Sequence, residues 1–231
     1  MFTGFPEETL QFFIDLRFNN NKTYFEENRA RYEQVVKAPF HAFIEELAPY
    51  MLKIDPQMEV RPYKCLARIH RDTRFSKDKS PYRDHLWLCF RRAAEPREGS
   101  VNFFFELGPT TLGWGMGTRG ENRPMMDAFR RQMAANPKKY AKIIDGCRLS
   151  ENDFGVFSST WKRMEVPPGI PLGLKGWYCS REVYVGKAHP DMSKIGTREI
   201  LDIVREDFKN LAPLYHLLRG AYEEAANDQS L

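Results

Sequence analysis

Over the first fifty or so residues, apolar positions recur at helical spacing. Leu10, Phe13, Ile14 and Leu16 share a side behind Pro6, Glu7 and Glu8, which predicts a first helix over 6–18. The Asn19-Asn20-Asn21 run breaks it. Asn21 is placed to cap a second helix over 22–37 that carries Phe25, Asn28, Tyr32, Val35 and Val36. Pro39 is expected to end or kink that helix. Phe40, Phe43, Ile44, Leu47 and Met51 then form a third amphipathic stretch, so residues 6–53 read as a helical block.

The period then changes. Tyr63–Ile69 reads as a short extended run. Leu86–Phe90 and Val101–Phe105 are short and apolar, with a polar loop around Pro96–Gly99 between them, as in an antiparallel hairpin. Thr110–Gly117 supplies a third strand. Helices return over 124–134, behind Asn122-Arg123-Pro124, and from Pro137 to about Asp145, with Gly146 as a stop. Residues 148–176 are rich in Pro and Gly and read as irregular. Trp177–Val185 reads as a late strand returning to the sheet, and Thr197–Ala225 as helix bent at Pro213. No internal repeat or linker appears. The pattern predicts one α+β domain over 1–231: a mainly antiparallel meander flanked by N-terminal and C-terminal helices. Its blocks are 6–53, 60–117 (sheet and a basic loop), 122–146, 148–186 and 197–226.

Composition adds limits. The chain is 42% hydrophobic and 13% aromatic, enough for a substantial core, and 29% charged. Its net charge is +4, and most of that is local. Residues 68–85 hold six Lys/Arg against three Asp, which leaves 29 basic and 28 acidic residues elsewhere. Global basicity therefore argues for neither nucleic-acid nor membrane binding, while a local anion site stays open. Cys65, Cys89, Cys147 and Cys179 match no zinc spacing and read as free thiols of a reducing compartment. With no signal-peptide pattern and no apolar run of spanning length, the expectation is a cytoplasmic protein. No cofactor or metal is expected. Nothing in the pattern addresses oligomeric state.

The 68–85 segment is the candidate site. Arg68, Arg71 and Arg74 are the expected anion contacts, because guanidinium forks suit carboxylate and phosphate. Lys79 and Arg83 are further contacts. Asp72 and His70 are the acid–base candidates, since an Asp flanked by Arg stays ionised and a His titrates near neutrality. In an extended run Arg68 and His70 share one face and Ile69 takes the other. Ile69, Phe75, Pro81 and Tyr82 are placed to anchor the segment to a core. Three readings stay open: a site for an anionic or phosphate-bearing small ligand, a module docking an acidic protein or nucleic acid, and an ion-pair network that only fixes the loop.

Weaker signals are set beside these. His70-Arg71-Asp72 looks like a kinase catalytic triplet, but Lys77 stands where Asn is required. A metal site of His70 and Asp72 with His85, His189 or His216 is disfavoured by the adjacent arginines. Gly113-Trp114-Gly115-Met116-Gly117 lacks nucleotide-loop spacing and reads as bends at a sheet end. Arg119 and Arg123 beside it are candidates to face the basic loop across a cleft. Trp161, Trp177 and Tyr178 read as lids over a core rather than base-stacking platforms. Arg130-Arg131 and Lys138-Lys139 read as solvated helix faces.

Arg68-Ile69-His70-Arg71-Asp72-Thr73-Arg74-Phe75-Ser76-Lys77-Asp78-Lys79-Ser80-Pro81-Tyr82 resembles the signature of the family called domain of unknown function 2461. Phe2-x-x-Phe5, Asn19-Asn20-Asn21-Lys22 and Tyr24-Phe25-Glu26 resemble that family's start, and Gly113–Gly117 with the following helix its middle. The likeness covers most of residues 1–165. It implies a soluble bacterial or fungal domain and supplies no activity, cofactor or catalytic residue.

Overall fold

A computed structural model describes residues 1–118 and 120–228. Among these the chain is α+β, with five strands in one antiparallel sheet. The first helices are α1 (Glu7–Phe18), α2 (Lys22–Glu27), α3 (Arg29–Tyr32) and α4 (Ala38–Ile54), followed by a single turn, α5 (Pro62–Cys65). Strands β1 (Leu86–Phe90), β2 (Val101–Gly108) and β3 (Thr111–Thr118) come next. After α6 (Arg123–Ala135) and α7 (Pro137–Gly146) come β4 (Phe154–Val156), α8 (Lys175–Cys179), β5 (Tyr184–Lys187) and α9 (Glu199–Asp228). The strand order is β1-β2-β3-β5-β4, and β5 pairs antiparallel with both β3 and β4.

Packing divides the chain into two compact units. The first holds residues 1–90, 104–114 and 190–205; the second holds 91–103, 115–189 and 206–231. The core of the first is aromatic. Phe5 and Phe43 lie 5.7 and 4.8 Å from Phe105, and Phe2 packs edge-on against Phe43 at 5.0 Å. In the second, Phe103 of β2 meets Phe208 and Tyr215 of α9 at 5.0 and 5.1 Å.

Several expectations are corrected. Pro39 does not end its helix. Helical backbone runs from Arg29 to Ile54, with a π-turn at Glu33–Lys37 linking α3 to α4. Pro39 has no N–H for the carbonyl of Val35, four residues earlier. The buried Thr9 hydroxyl donates to that carbonyl instead, at 2.5 Å. The extended run expected at Tyr63–Ile69 begins as the helical turn α5, because Pro62 presets the first helical dihedral. The late strand starts at Tyr184, not Trp177, which lies buried in α8. Strand β4 lies inside the stretch expected to be irregular. It is three residues long, too short to show a period, and follows Asp153 in the left-handed region (φ 55°). Arg130 is not on a solvated face. It is buried and donates to the carbonyls of Tyr178 (2.8 Å) and Ser180 and to Asp127 (2.8 Å). Arg131, Lys138 and Lys139 are exposed. Arg119 lies outside the described residues.

Candidate functional site

The 68–85 segment is a hairpin laid along the edge of β1. Leu66 bridges Leu88, and the Ala67 amide donates to the Trp87 carbonyl at 2.9 Å. His70 bridges Tyr82, Arg83 donates to Ile69, and Arg71 donates to Pro81, both at 2.8 Å. Residues 66–71 therefore run antiparallel to 81–88, and 72–80 form the tip. Side chains alternate as the sequence predicts: Ile69 is buried, while Arg68 and His70 face solvent.

Local chemistry holds this foot in place. Asn20 reproduces a strand partner with its side-chain amide, donating to the Tyr82 carbonyl (2.9 Å) and accepting from the Tyr82 amide (3.0 Å). Asn21 caps α2 by accepting from the Tyr24 amide, and Asn19 bonds back to the Asp15 carbonyl. Phe25 of that capped helix stacks on Tyr82 at 4.2 Å, and the His70 ring lies 5.1 Å from Tyr82.

At the tip the charges meet one another. Arg74 grips Asp72 with Nε and Nη2 at 2.9 and 2.7 Å. This grip, with the Arg74 backbone amide, lowers the Asp72 carboxyl to about 2. Arg71 pairs with Asp78, and the Asp78 carboxyl, bonded by Ser80 and then by Arg71, sits well below the usual range. Lys79 Nζ donates to the Thr73 carbonyl at 2.9 Å. Three of the five expected ligand contacts (Arg71, Arg74 and Lys79) thus have partners within the tip. Arg68 is exposed and has no hydrogen-bond or ion-pair partner among the described residues. Phe75, expected to anchor the segment, is 95% exposed. With Ile69, Tyr82 and the Asn20 clamp holding the foot, the tip has no need of it.

A second cluster stands where the hairpin enters β1. The His85 imidazole lies between two carboxylates: Nδ1 is 3.0 Å from Asp84 Oδ1, and Nε2 is 3.3 Å from Glu106 Oε1 on β2. Arg17 of α1 binds the other oxygen of Asp84 at 2.6 Å. Burial pushes the Asp84 carboxyl up, but the bonds from His85 and Arg17 outweigh it and leave the value lowered. Glu106 behaves oppositely. Burial raises its carboxyl, and the nearby His85 only partly offsets this. Two carboxylates flanking one ring thus have environments that push them apart. Trp87, on the same face of β1, lies 5.9 Å from His85, and the Arg83 guanidinium rests 4.5 Å over the Trp87 ring. Gly108 is required here, because a Cβ on it would come within 2.6 Å of His85 Cβ.

Sequence reading placed Asp84 and His85 inside the charged motif and missed Arg17, Trp87 and Glu106. One signal was available: Glu106 is the single charged residue in the apolar strand Val101–Gly108. Among the described residues no group of three His, Cys, Asp or Glu is arranged to hold a metal ion. No helix among them is long and apolar enough to cross a membrane. Among the described residues, open clefts of the second unit include one of about 340 Å³ lined by Gln132, Tyr140 and His216 and one of about 420 Å³ lined by Arg148, Phe154 and Trp177.

Searches of curated proteins and of solved structures each returned no match. The sequence model of the family described as "Conserved hypothetical protein (DUF2461)" matches residues 8–217, from α1 through most of α9, and so spans the hairpin and the His85 cluster alike. The chain belongs to the DUF2461 family.

Proposed function

We propose that the protein binds an anionic or phosphate-bearing small molecule at the foot of the 68–85 hairpin. Arg68 is the leading contact, with Arg83 and His85 beside it. One observation carries this reading: among the described residues the exposed Arg68 guanidinium has no hydrogen-bond or ion-pair partner, whereas Arg71 and Arg74 of the same hairpin are held by Asp78 and Asp72 and Arg83 rests over Trp87. The backbone register sets Arg68 opposite residues 84–86, next to the His85 cluster. A guanidinium fork suits a carboxylate or phosphate oxyanion. Asp72, held at about 2 by Arg74, is a poor base near neutral pH and serves to fix the tip. Four free cysteines support a reducing, cytoplasmic setting.

The experiment is thermal unfolding of the wild type and Arg68→Ala against phosphate, nucleotides, carboxylates and short oligonucleotides. A ligand that binds only the folded state raises Tm, by about 2.7 kcal/mol of stability at a hundredfold excess over Kd. The reading expects a small anion to stabilise the wild type and not the variant. Stabilisation by oligonucleotides alone, falling steeply with salt, identifies instead a surface that docks nucleic acid. The Arg71–Asp78 and Arg74–Asp72 pairs favour a second reading, an ion-paired loop with a structural role. It predicts no ligand shift with any member of the panel.

A further inference from the structure

The 340 Å³ cleft of the second unit lies where the corner of α6 and α7 meets one face of α9. His216 and Gly220, one helical turn apart, line it from α9 together with Leu217. Ala135 and Asn136 line it from the end of α6, and Lys139 and Tyr140 from the start of α7.

Side-chain bonds fix one of its walls. The Tyr140 hydroxyl donates to Gln132 Oε1 at 2.8 Å, and Gln132 Nε2 donates to Glu224 Oε2 at 2.6 Å. These two bonds hold the Gln132 amide in one orientation and leave one of its N–H hydrogens without an acceptor among the described residues. Burial, with Glu224 nearby, pushes the Tyr140 hydroxyl up to about 12, so it remains a donor at neutral pH. Gly220 keeps the floor open. Beyond its own helix, a Cβ there would meet Gln132 Oε1 at 3.7 Å, an ordinary contact. Packing does not require glycine at this position, although glycine weakens a helix interior relative to alanine. The missing side chain leaves space in the cleft.

The charge of the cleft has one sign. Lys139 is exposed and has no hydrogen-bond or ion-pair partner among the described residues. None of the described lining residues is acidic. Glu224, behind Gln132, is answered by Arg131 at 2.7 Å. No side chain caps the start of α7 at Asn136, so the first-turn amides of Lys138 and Lys139 lack an intrahelical acceptor and the positive end of the helix dipole adds to the ammonium. An anion entering here meets no like charge. One ammonium beside the apolar Ala135 and Leu217 matches a single carboxylate on a short apolar body. A phosphate dianion is better served by a guanidinium fork, and no arginine stands among the described lining residues.

We infer that this cleft is a second binding site, for a small carboxylate with an apolar body: Lys139 and the start of α7 hold the carboxylate, His216 and the Gln132 amide offer N–H donors from α9 and α6, and Ala135, Leu217 and Gly220 seat the body. The site lies wholly within the second unit and uses no residue of the hairpin, so it does not depend on the anion reading above.

Amide chemical-shift mapping of the full chain with benzoate and with hexanoate tests it. Benzamide serves as the uncharged counterpart of benzoate, and inorganic phosphate as the competing anion. Saturable shifts centred on residues 135–140 and 216–220 are expected with either carboxylate, and benzamide should bind roughly tenfold more weakly or worse. Lys139→Gln, an exposed substitution, should keep its Tm and lose about tenfold in affinity. Gly220→Ala should raise the ligand-free Tm and still bind, whereas Gly220→Leu should fold and lose binding, because its side chain fills the seat. Arg68→Ala should bind as the wild type does. Undiminished binding by Gly220→Leu overturns the seat, and benzamide equal to benzoate overturns the role of Lys139. Phosphate as the better ligand overturns the carboxylate class. Shifts lost in Arg68→Ala and kept in Lys139→Gln place the anion on the hairpin and overturn the cleft site. No saturable shift with either carboxylate overturns it as well and leaves the hairpin reading untouched.

Discussion

The two ends of one hairpin differ sharply. The tip, residues 72–80, is exposed, and its charges pair with neighbours two to seven positions away, as Arg74 does with Asp72 and Arg71 with Asp78. The foot is partly buried, and its partners come from far along the chain. Asn20 reaches Tyr82 across 62 positions and Arg17 reaches Asp84 across 67. At the tip, the Arg74–Asp72 and Arg71–Asp78 pairs lie in water, where ion pairs contribute little. At the foot, burial and fixed geometry move two carboxyls in opposite directions, Asp84 down and Glu106 up. Density of charge marks the loop; desolvation marks the place where chemistry becomes available.

The contrast breaks most visibly at the aromatic stack. Tyr82 is 3% exposed and lies on Phe25. Tyr82→Ala is expected to lower stability by about 3 kcal/mol in urea unfolding, in the range of large core truncations. A loss near zero would mean that the foot is no better rooted than the tip.

A smaller effect, with a distinctive pH dependence, is expected at Glu106. Its carboxyl is raised by burial, so the folded state holds that proton more tightly than the unfolded chain does. The resulting stability is present below the unfolded carboxyl value and is lost as pH rises through the folded one. Glu106→Gln escapes this loss. Its Tm relative to wild type should therefore be higher at pH 7 than at pH 4. Equal differences at the two pH values would show that Glu106 is not desolvated.

The smallest effect is expected at the tip. Arg74→Ala breaks an exposed pair and should leave Tm almost unchanged, more so at high salt. Asp72, lowered to about 2 by Arg74, has the opposite sign from Glu106: its contribution is present above the unfolded value and lost only as pH falls toward 2. A large drop in Tm for Arg74→Ala at pH 7 would reverse the comparison and make the tip a structural girder.

Much of this was legible because it is local. Helical periodicity located α1 and α4, and the apolar runs located β1, β2 and β3. The capping role of Asn21 and the alternation of Arg68, Ile69 and His70 follow from neighbours within a few residues. Where nearby residues sent a mixed message, the reading failed. Pro39 ends or kinks a helix, and only the distant Thr9 hydroxyl shows why this helix runs on past it. Arg130 looks like a surface residue until the carbonyls of Tyr178 and Ser180 are brought to it.

By itself the sequence determined the α+β class, the antiparallel order of the first three strands and the presence of a charged loop. Period, caps and turns act over a few residues and are written into adjacent positions. Tertiary structure alone decided which charges face solvent and which face each other. It joined Arg17 to Asp84 and Glu106 to His85, and among the described residues it left Arg68 without a hydrogen-bond or ion-pair partner. The physical reason is that desolvation and long-range hydrogen bonding depend on which elements pack together, and no short window of sequence holds both partners.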